Sequence, residues 1–425
     1  CAVIVLTVAS FTYVTAQINA TGTIASVALD IDFKYAVYIG LISILMCSML
    51  GGMRAVTWTQ VAQYIVLIIA YLLPIFWISN KMGAGFFPHF MLADEVARIG
   101  ELEQQFGFVK NSAADLATVP KGLAGITKAH SAVNATPWAF ISLALAMMMG
   151  TASLPHVMMR YFTTPSVKAA RKSVGWSLFF IFLLYSSAPM LATLSKLSLI
   201  DPNLSTGIIG KSFAEVQAID WFQNWNQANL MFISDFNGNG TLELNEFFMG
   251  GKAVVLATPE IAGLPYVISG LVAAGGMAAA MSTADGLILA IANAISHDVY
   301  YKMIDPKAET AKRLLVARVL LVIIGFAGAT IAAMEIQGIL GSVIWAFDFA
   351  MSGLFFPLVL GVWWKRANRE GAIAGMVLGL VSSIIYLVWV RNGGSGFLGL
   401  TQLTFGIFGA AVIFVSMVVV RLMTQ

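Results

Sequence analysis

Ten runs of roughly 20 mostly apolar residues succeed one another along the chain. They lie near 1–28, 35–52, 55–78, 137–160, 172–199, 262–295, 312–334, 338–363, 371–390 and 402–422. An α-helix rises 1.5 Å per residue, so each run is long enough to cross the ~30 Å hydrocarbon core of a bilayer. No water there can satisfy backbone N–H and C=O groups, and runs of this length satisfy them only as helices. The chain therefore reads as an all-α polytopic membrane protein. Charged residues make up 11% of the 425 residues and hydrophobic ones 59%, whereas soluble domains carry about 25% charge. A soluble enzyme or a nucleic-acid-binding module is excluded on that ground. The run at 262–295 exceeds a single crossing, so it is expected to tilt, break or extend beyond the bilayer.

Two long polar stretches, 79–136 and 200–261, interrupt the pattern. Sidedness follows from Lys and Arg in the short connections. One set holds Arg54, then Arg160, Lys168, Arg171 and Lys172, then Lys302, Lys307, Lys312 and Arg313, then Lys365, Arg366 and Arg369; the opposite set holds Lys34 and Arg391. The first set is expected on the cytoplasmic side of a plasma (inner) membrane, with 79–136 and 200–261 outside. The chain opens inside an apolar run without methionine or a basic leader, which reads as N-terminal truncation. Cys1 and Cys47, both in apolar runs, suggest neither a disulfide framework nor a zinc site.

Within the second polar stretch, DFNGNGTLELNE (235–246) places Asp235, Asn237, Asn239, Thr241, Glu243 and Glu246 at positions 1, 3, 5, 7, 9 and 12, with Gly240 at position 6. That is the ligand spacing of an EF-hand calcium loop. The expected ion is a structural calcium that pins the 200–261 loop, because three carboxylates and a stunted exit helix imply weak binding. The alternative is a Gly- and Asx-rich turn whose side chains bond their own backbone.

Chemistry concentrates in GLVAAGGMAAAMSTADGLILAIANAISHDVY (270–300). Its glycines and alanines allow close helix approach. Ala279, Ser282 and Thr283 follow at i, i+3 and i+4, a carbonyl and two hydroxyls on one helical face. A weakly held hard cation such as sodium takes neutral oxygens of that kind, although back-bonding of the hydroxyls to their own helix is the simpler account. Asp285 and Asp348 are intramembrane carboxylates, which default to functional candidates. In MGTASLPHVMMRYF, Gly150, Thr151, Ser153 and Pro155 predict a broken helix carrying His156, and broken helices line cavities. No nucleophile elbow, metal-binding histidine pair or phosphate loop is present, so no catalysis is expected.

Four motifs in order resemble the sodium:solute symporter family: GGMRAVTWTQVAQ (51–63), GTASLPHVMMRYFTTPSVKAARKS (150–173), AAAMSTADGLILAIANAISHDVYY (278–301) and PLVLGVWWKRANREGAIAGMVLG (357–379). The STADG and ISHDVYYK wording is most similar to its acetate and short-chain monocarboxylate permease branch. The resemblance implies the leucine-transporter inverted-repeat fold. Residues 1–78 would end the first repeat, 79–136 form an external loop, 137–363 form the second repeat with the loop 200–261, and 364–425 add accessory helices. It implies sodium at Ala279, Ser282 and Thr283. Around Thr59 the family usually has threonine then aspartate, whereas this chain has Gln60; Asp285, on the partner helix, could restore that charge for a second cation or the second site could be lost. Tyr13, Gln17, Thr151, Ser153, His156, Trp345 and Asp348, with Thr12, would line the substrate path. The implied function is sodium-coupled uptake of a small organic acid, in a lipid bilayer, without nucleic acid or an obligatory protein partner. A transporter-like sensor or calcium-regulated channel is the competing class, and a membrane enzyme a distant third.

Overall fold

The computed structural model describes all residues except 84, 86–87, 108–111, 121–122, 126–136 and 425. Helix α1 (Ala2–Leu29) turns back through Asp30, which takes a left-handed conformation, into α2 (Phe33–Lys81). The side chain of Asp32 accepts from the Lys34 amide at 2.8 Å and caps that start. Gly52 bends α2 with φ 56° and ψ −162°, a region open to glycine but strained for residues with a Cβ. After α3 (Leu92–Gln105), α4 (Ala113–Leu116) and β1 (Leu123–Gly125) come α5 (Pro137–Ser153) and α6 (Pro155–Met158). Pro155 cannot donate to the preceding turn, and the axis bends by 47° there. Helix α7 (Val167–Ile200) leads to α8 (Phe213–Gln217), α9 (Asp220–Gln227), β2 (Met231–Ile233), β3 (Phe247–Gly250) and α10 (Val254–Ile261). Then follow α11 (Tyr266–Asn293), α12 (Thr310–Ala333), α13 (Ile339–Ala350), α14 (Phe356–Trp363), α15 (Arg369–Arg391) and α16 (Phe405–Met423).

Among the described residues eight helices are long and apolar enough to cross a membrane, and the bent pair at Leu154 supplies a ninth span. All ten expected runs are helical, but the second, Phe33–Met49, is shorter than a full crossing. The long run at 262–295 extends rather than breaks: α11 continues as wider π turns over Ala294–Ile304.

Helices meet where side chains are absent. A Cβ at Gly275 would lie 2.4 Å from the Ala70 methyl, joining α11 to α2. A Cβ at Gly150 would lie 2.6 Å from Phe347 Cβ and 2.7 Å from its carbonyl, joining α5 to α13. These contacts bring backbones together as small-residue interfaces do in lipid.

The two polar stretches are not open loops. They fold together into a cap containing a three-stranded sheet of order β1-β3-β2, with Leu123 opposite Gly250 and Ile233 opposite Phe247. Phe222, Trp225, Leu242 and Phe247 form its core with Leu197 and Ile200 of α7, and Ile99 and Leu102 of α3. Two ion pairs, Arg98 with Asp201 and Lys196 with Glu103, fasten α3 to the end of α7. Burial lifts the Glu260 carboxyl above the ordinary carboxylate range, and the Trp225 indole, which donates to Glu260 Oε2 at 2.8 Å, opposes that lift.

Gly150→Ala is expected to destabilise the protein by about 1–3 kcal/mol through overpacking, lowering the melting temperature, whereas Gly361→Ala, with no neighbour within 4 Å of its Cβ, leaves it unchanged. A raised carboxyl pKa stabilises the folded state at low pH and loses that contribution as pH rises through the folded value. Glu260→Gln should therefore raise the melting temperature at pH 8 and give no gain near pH 4, as melting curves across pH would show.

Candidate ion and solute sites

On α11 both candidate hydroxyls turn to one carbonyl. Ser282 Oγ donates to Ala279 O at 2.8 Å and Thr283 Oγ1 at 3.3 Å. Three oxygens thus gather on one half-buried turn, each hydroxyl keeping lone pairs for an acceptor role. Gln60, from the second half of α2, donates its amide Nε2 to Ser282 O at 2.5 Å. A Cβ at Gly286, one turn on, would lie 3.3 Å from Arg160 Nη2 and 3.7 Å from Gln60 Nε2. Arg160 and Gln60 thereby converge on the turn after the hydroxyls. Asp285 is fully buried and takes a different partner, accepting from Ser48 Oγ at 2.9 Å in the first half of α2. The two residues considered together for a second cation thus engage separate groups. Ser48 was not legible as a partner, since a lone serine in an apolar run also bonds its own helix, as Ser48 does to Ile44 O at 3.0 Å.

A second cluster forms at the break between α5 and α6. The Tyr13 ring meets His156 edge-on at 5.8 Å between centroids and Phe347 at 5.4 Å. His156 is buried, and among the described residues its Nδ1 has no hydrogen-bond partner. Tyr13 of α1, His156 of α6 and Phe347 of α13 thus come together, and Gln17 lies half-buried one turn along α1. Phe347 carries no sequence signal beyond its hydrophobicity. Ser153 is buried and bonds back to Gly150 O and Met149 O, while Thr151 is exposed and bonds Met147 O.

Three expected path residues, Asp348, Trp345 and Thr12, lie away from this cluster. The Asp348 carboxylate packs against α16, where a Cβ at Gly406 would lie 2.6 Å from its Oδ1. Its neighbour Phe347 faces the cluster instead, because adjacent residues of a helix point about 100° apart. Trp345 donates its indole N–H to Gln402 O at 2.8 Å and lines a separate cavity with Thr12. Helical phase decides which neighbour each residue of α13 meets.

The segment 235–246 is the loop of a hairpin between β2 and β3. The exit element expected as a stunted helix is a strand, because Phe247–Gly250 pairs with both β1 and β2. Asp235 accepts from the Gly238 and Gly240 amides at 2.7 and 3.0 Å, and Glu246 from those of Phe236 and Glu243, both at 2.9 Å. Asn237 and Asn239 accept from the amides two residues on and donate their Nδ2 groups to Glu243 Oε1. Among the described residues no three His, Cys, Asp or Glu side chains gather as a metal site. The loop therefore closes on its own backbone.

A helix bundle with a broken helix is typical of the leucine-transporter-like class of secondary transporters. The sodium:solute symporter family model matches residues 1–201 and 252–379, and the chain belongs to that family of transporters; it is not an enzyme. Residues 202–251, which hold the hairpin loop, lie outside the match. The chain is 34% identical to an uncharacterized symporter of Cupriavidus necator, covering all of this chain and 74% of that protein. It is 27% identical to a monocarboxylic acid transporter of Corynebacterium glutamicum, over 90% of this chain and 61% of that one. A solved structure of a Na⁺-coupled sialic acid symporter, in a substrate-bound outward-open state, shares the fold with a TM-score of 0.59 and 18% identity, over 98% of this chain and 73% of that chain.

Because the side chains of Asp235, Asn237, Asn239 and Glu246 bond amides of the loop itself, the melting temperature of the intact protein should be the same in calcium and in chelator. A shift of several degrees, abolished by Glu246→Gln, would reinstate a bound ion.

Proposed function

We propose that the chain is a sodium-coupled symporter that takes up a small organic acid, acetate or another short-chain monocarboxylate. The observation that carries the coupling is the gathering of Ala279 O, Ser282 Oγ and Thr283 Oγ1 on one turn of α11. Neutral carbonyl and hydroxyl oxygens suit a hard cation, and without a carboxylate among them they hold it weakly enough for release. Family membership supports sodium as that cation. The monocarboxylic acid transporter at 27% identity supports the solute class.

The solute's place in this reading is beside the break at Leu154, where Tyr13 and His156 meet, with Gln17 one turn along α1. The turn at the break frees backbone groups and lets a small polar solute replace them as partners. Alternating access follows as rocking of the helices that carry these groups against one another. The bias of Lys and Arg toward one set of short connections supports a plasma (inner) membrane orientation with the cap outside. The second cation at Gln60 and Asp285 has less support, since Gln60 offers its amide donor to Ser282 O and Asp285 faces Ser48.

Uptake of radiolabelled acetate, pyruvate and proline, with and without a sodium gradient, tests the reading. Removing one of the roughly five or six ligands that a hard cation needs weakens the site without abolishing it. Ser282→Ala and Thr283→Ala are each expected to raise the sodium concentration for half-maximal uptake several-fold. Unchanged sodium dependence in both variants refutes the assignment.

A further inference from the structure

Arg160 is a half-buried arginine without a counter-charge. Among the described residues its guanidinium forms no ion pair and donates no hydrogen bond. It stands in the 3₁₀ turn Met159–Thr163, one turn beyond His156. A lipid headgroup would draw the guanidinium outward, yet it reaches into the bundle, where a Cβ at the buried Gly286 would lie 3.3 Å from its Nη2.

Gln60 Nε2 lies 3.7 Å from that same point, and no other side chain comes within 4 Å of it. The Gln60 amide nitrogen carries two hydrogens, of which Ser282 O takes one. Two nitrogen donors with uncommitted hydrogens therefore bracket a place that Gly286, having no side chain, leaves open. The neighbouring carboxylate, Asp285, accepts from Ser48 instead. Gly286 follows Ser282 by four residues and Thr283 by three, so the donors stand on the hydroxyls' face of α11, one turn on. On both α6 and α11 this turn lies toward the basic connections, the cytoplasmic side in the orientation that the Lys and Arg bias supports.

We propose that Arg160, with Gln60, forms an inner anion subsite that receives the solute's carboxylate after it leaves Tyr13 and His156, and that this guanidinium couples the solute to sodium. The proposal rests on the organic-acid solute put forward above. A bare guanidinium and a sodium ion on the adjacent hydroxyl turn repel each other. A carboxylate seated between Arg160 and Gln60 makes charge-assisted bonds and cancels that repulsion. Solute then tightens sodium, and by reciprocity sodium tightens solute. When the solute leaves, the bare guanidinium returns and sodium is expelled after it. Unit charges about 10 Å apart, at an effective dielectric constant of about 20, change an affinity about tenfold.

The test measures binding of radiolabelled sodium to the purified protein without solute and with acetate, pyruvate or acetamide, the last an uncharged analogue of acetate. An acid is expected to tighten sodium binding about tenfold and acetamide to leave it unchanged. Arg160→Gln should bind sodium about tenfold more tightly without solute, and the acid should then add about twofold at most. Arg160→Lys, which keeps the charge, should keep most of the acid's effect. A residue that merely held α6 against α11 would weaken sodium binding on replacement. Melting curves check that both variants fold, and the comparison of acid with amide in the unaltered protein stands even where they do not. Tightening by neither acid, equal effects of acid and amide, or unchanged or weaker sodium binding in Arg160→Gln overturns the proposal. Sodium-driven uptake in the unaltered protein is measured separately, so uptake that persists beside any of these results refutes the subsite alone.

Discussion

Inside a bilayer the backbone has no water to fall back on, and this one condition shapes the chain more than any side-chain contact. Each apolar run becomes a helix because a helix satisfies its own N–H and C=O groups. Departures from helical geometry then become the informative places. They occur at Gly52, at Leu154–Pro155, and in the π turns at Ala294–Ile304 and Met351–Phe355. The break at Leu154 leads directly into His156 and the Tyr13 ring, and the π turns of Met351–Phe355 follow directly on the helix that carries Phe347 and Asp348. At Leu154 and at Met351 the irregular backbone lies next to residues of the candidate site.

Glycine and alanine decide how closely the helices approach. Gly150 against Phe347 brings the broken helix onto α13, and Gly275 against Ala70 brings α11 onto α2. These approaches bring Gln60 within reach of Ser282 O and Ser48 within reach of Asp285. The candidate ion turn and the candidate solute cluster therefore both depend on contacts made by residues with no functional groups. A methyl group added at either glycine changes a distance between helices rather than a ligand.

The cap obeys different rules from the bundle. It has a core of its own around Phe222, Trp225 and Phe247, ion pairs to α7, and a sheet assembled from two stretches far apart in sequence. The hairpin loop at 235–246 shows how a metal-like spacing can arise from turn chemistry. Aspartate, asparagine and glycine are the residues that close tight turns on their own amides, and they are also the residues of a calcium loop. Spacing alone does not separate the two.

Much of the architecture was determined by the residues themselves. The ten apolar runs, the break at Pro155, the excess length of the 262–295 run and the family motifs were all readable, because hydrophobicity, proline and glycine act locally. Ala279, Ser282 and Thr283 were readable too, since three residues within five positions share a helical face wherever that helix packs. Only the tertiary structure decided what faces what. It put Phe347 rather than Asp348 beside Tyr13, turned Trp345 toward a separate cavity, gave Asp285 to Ser48, and made a strand of Phe247–Gly250. Each outcome depends on the rotation of one element against another far away in sequence, a quantity that periodicity within a single helix or strand does not contain.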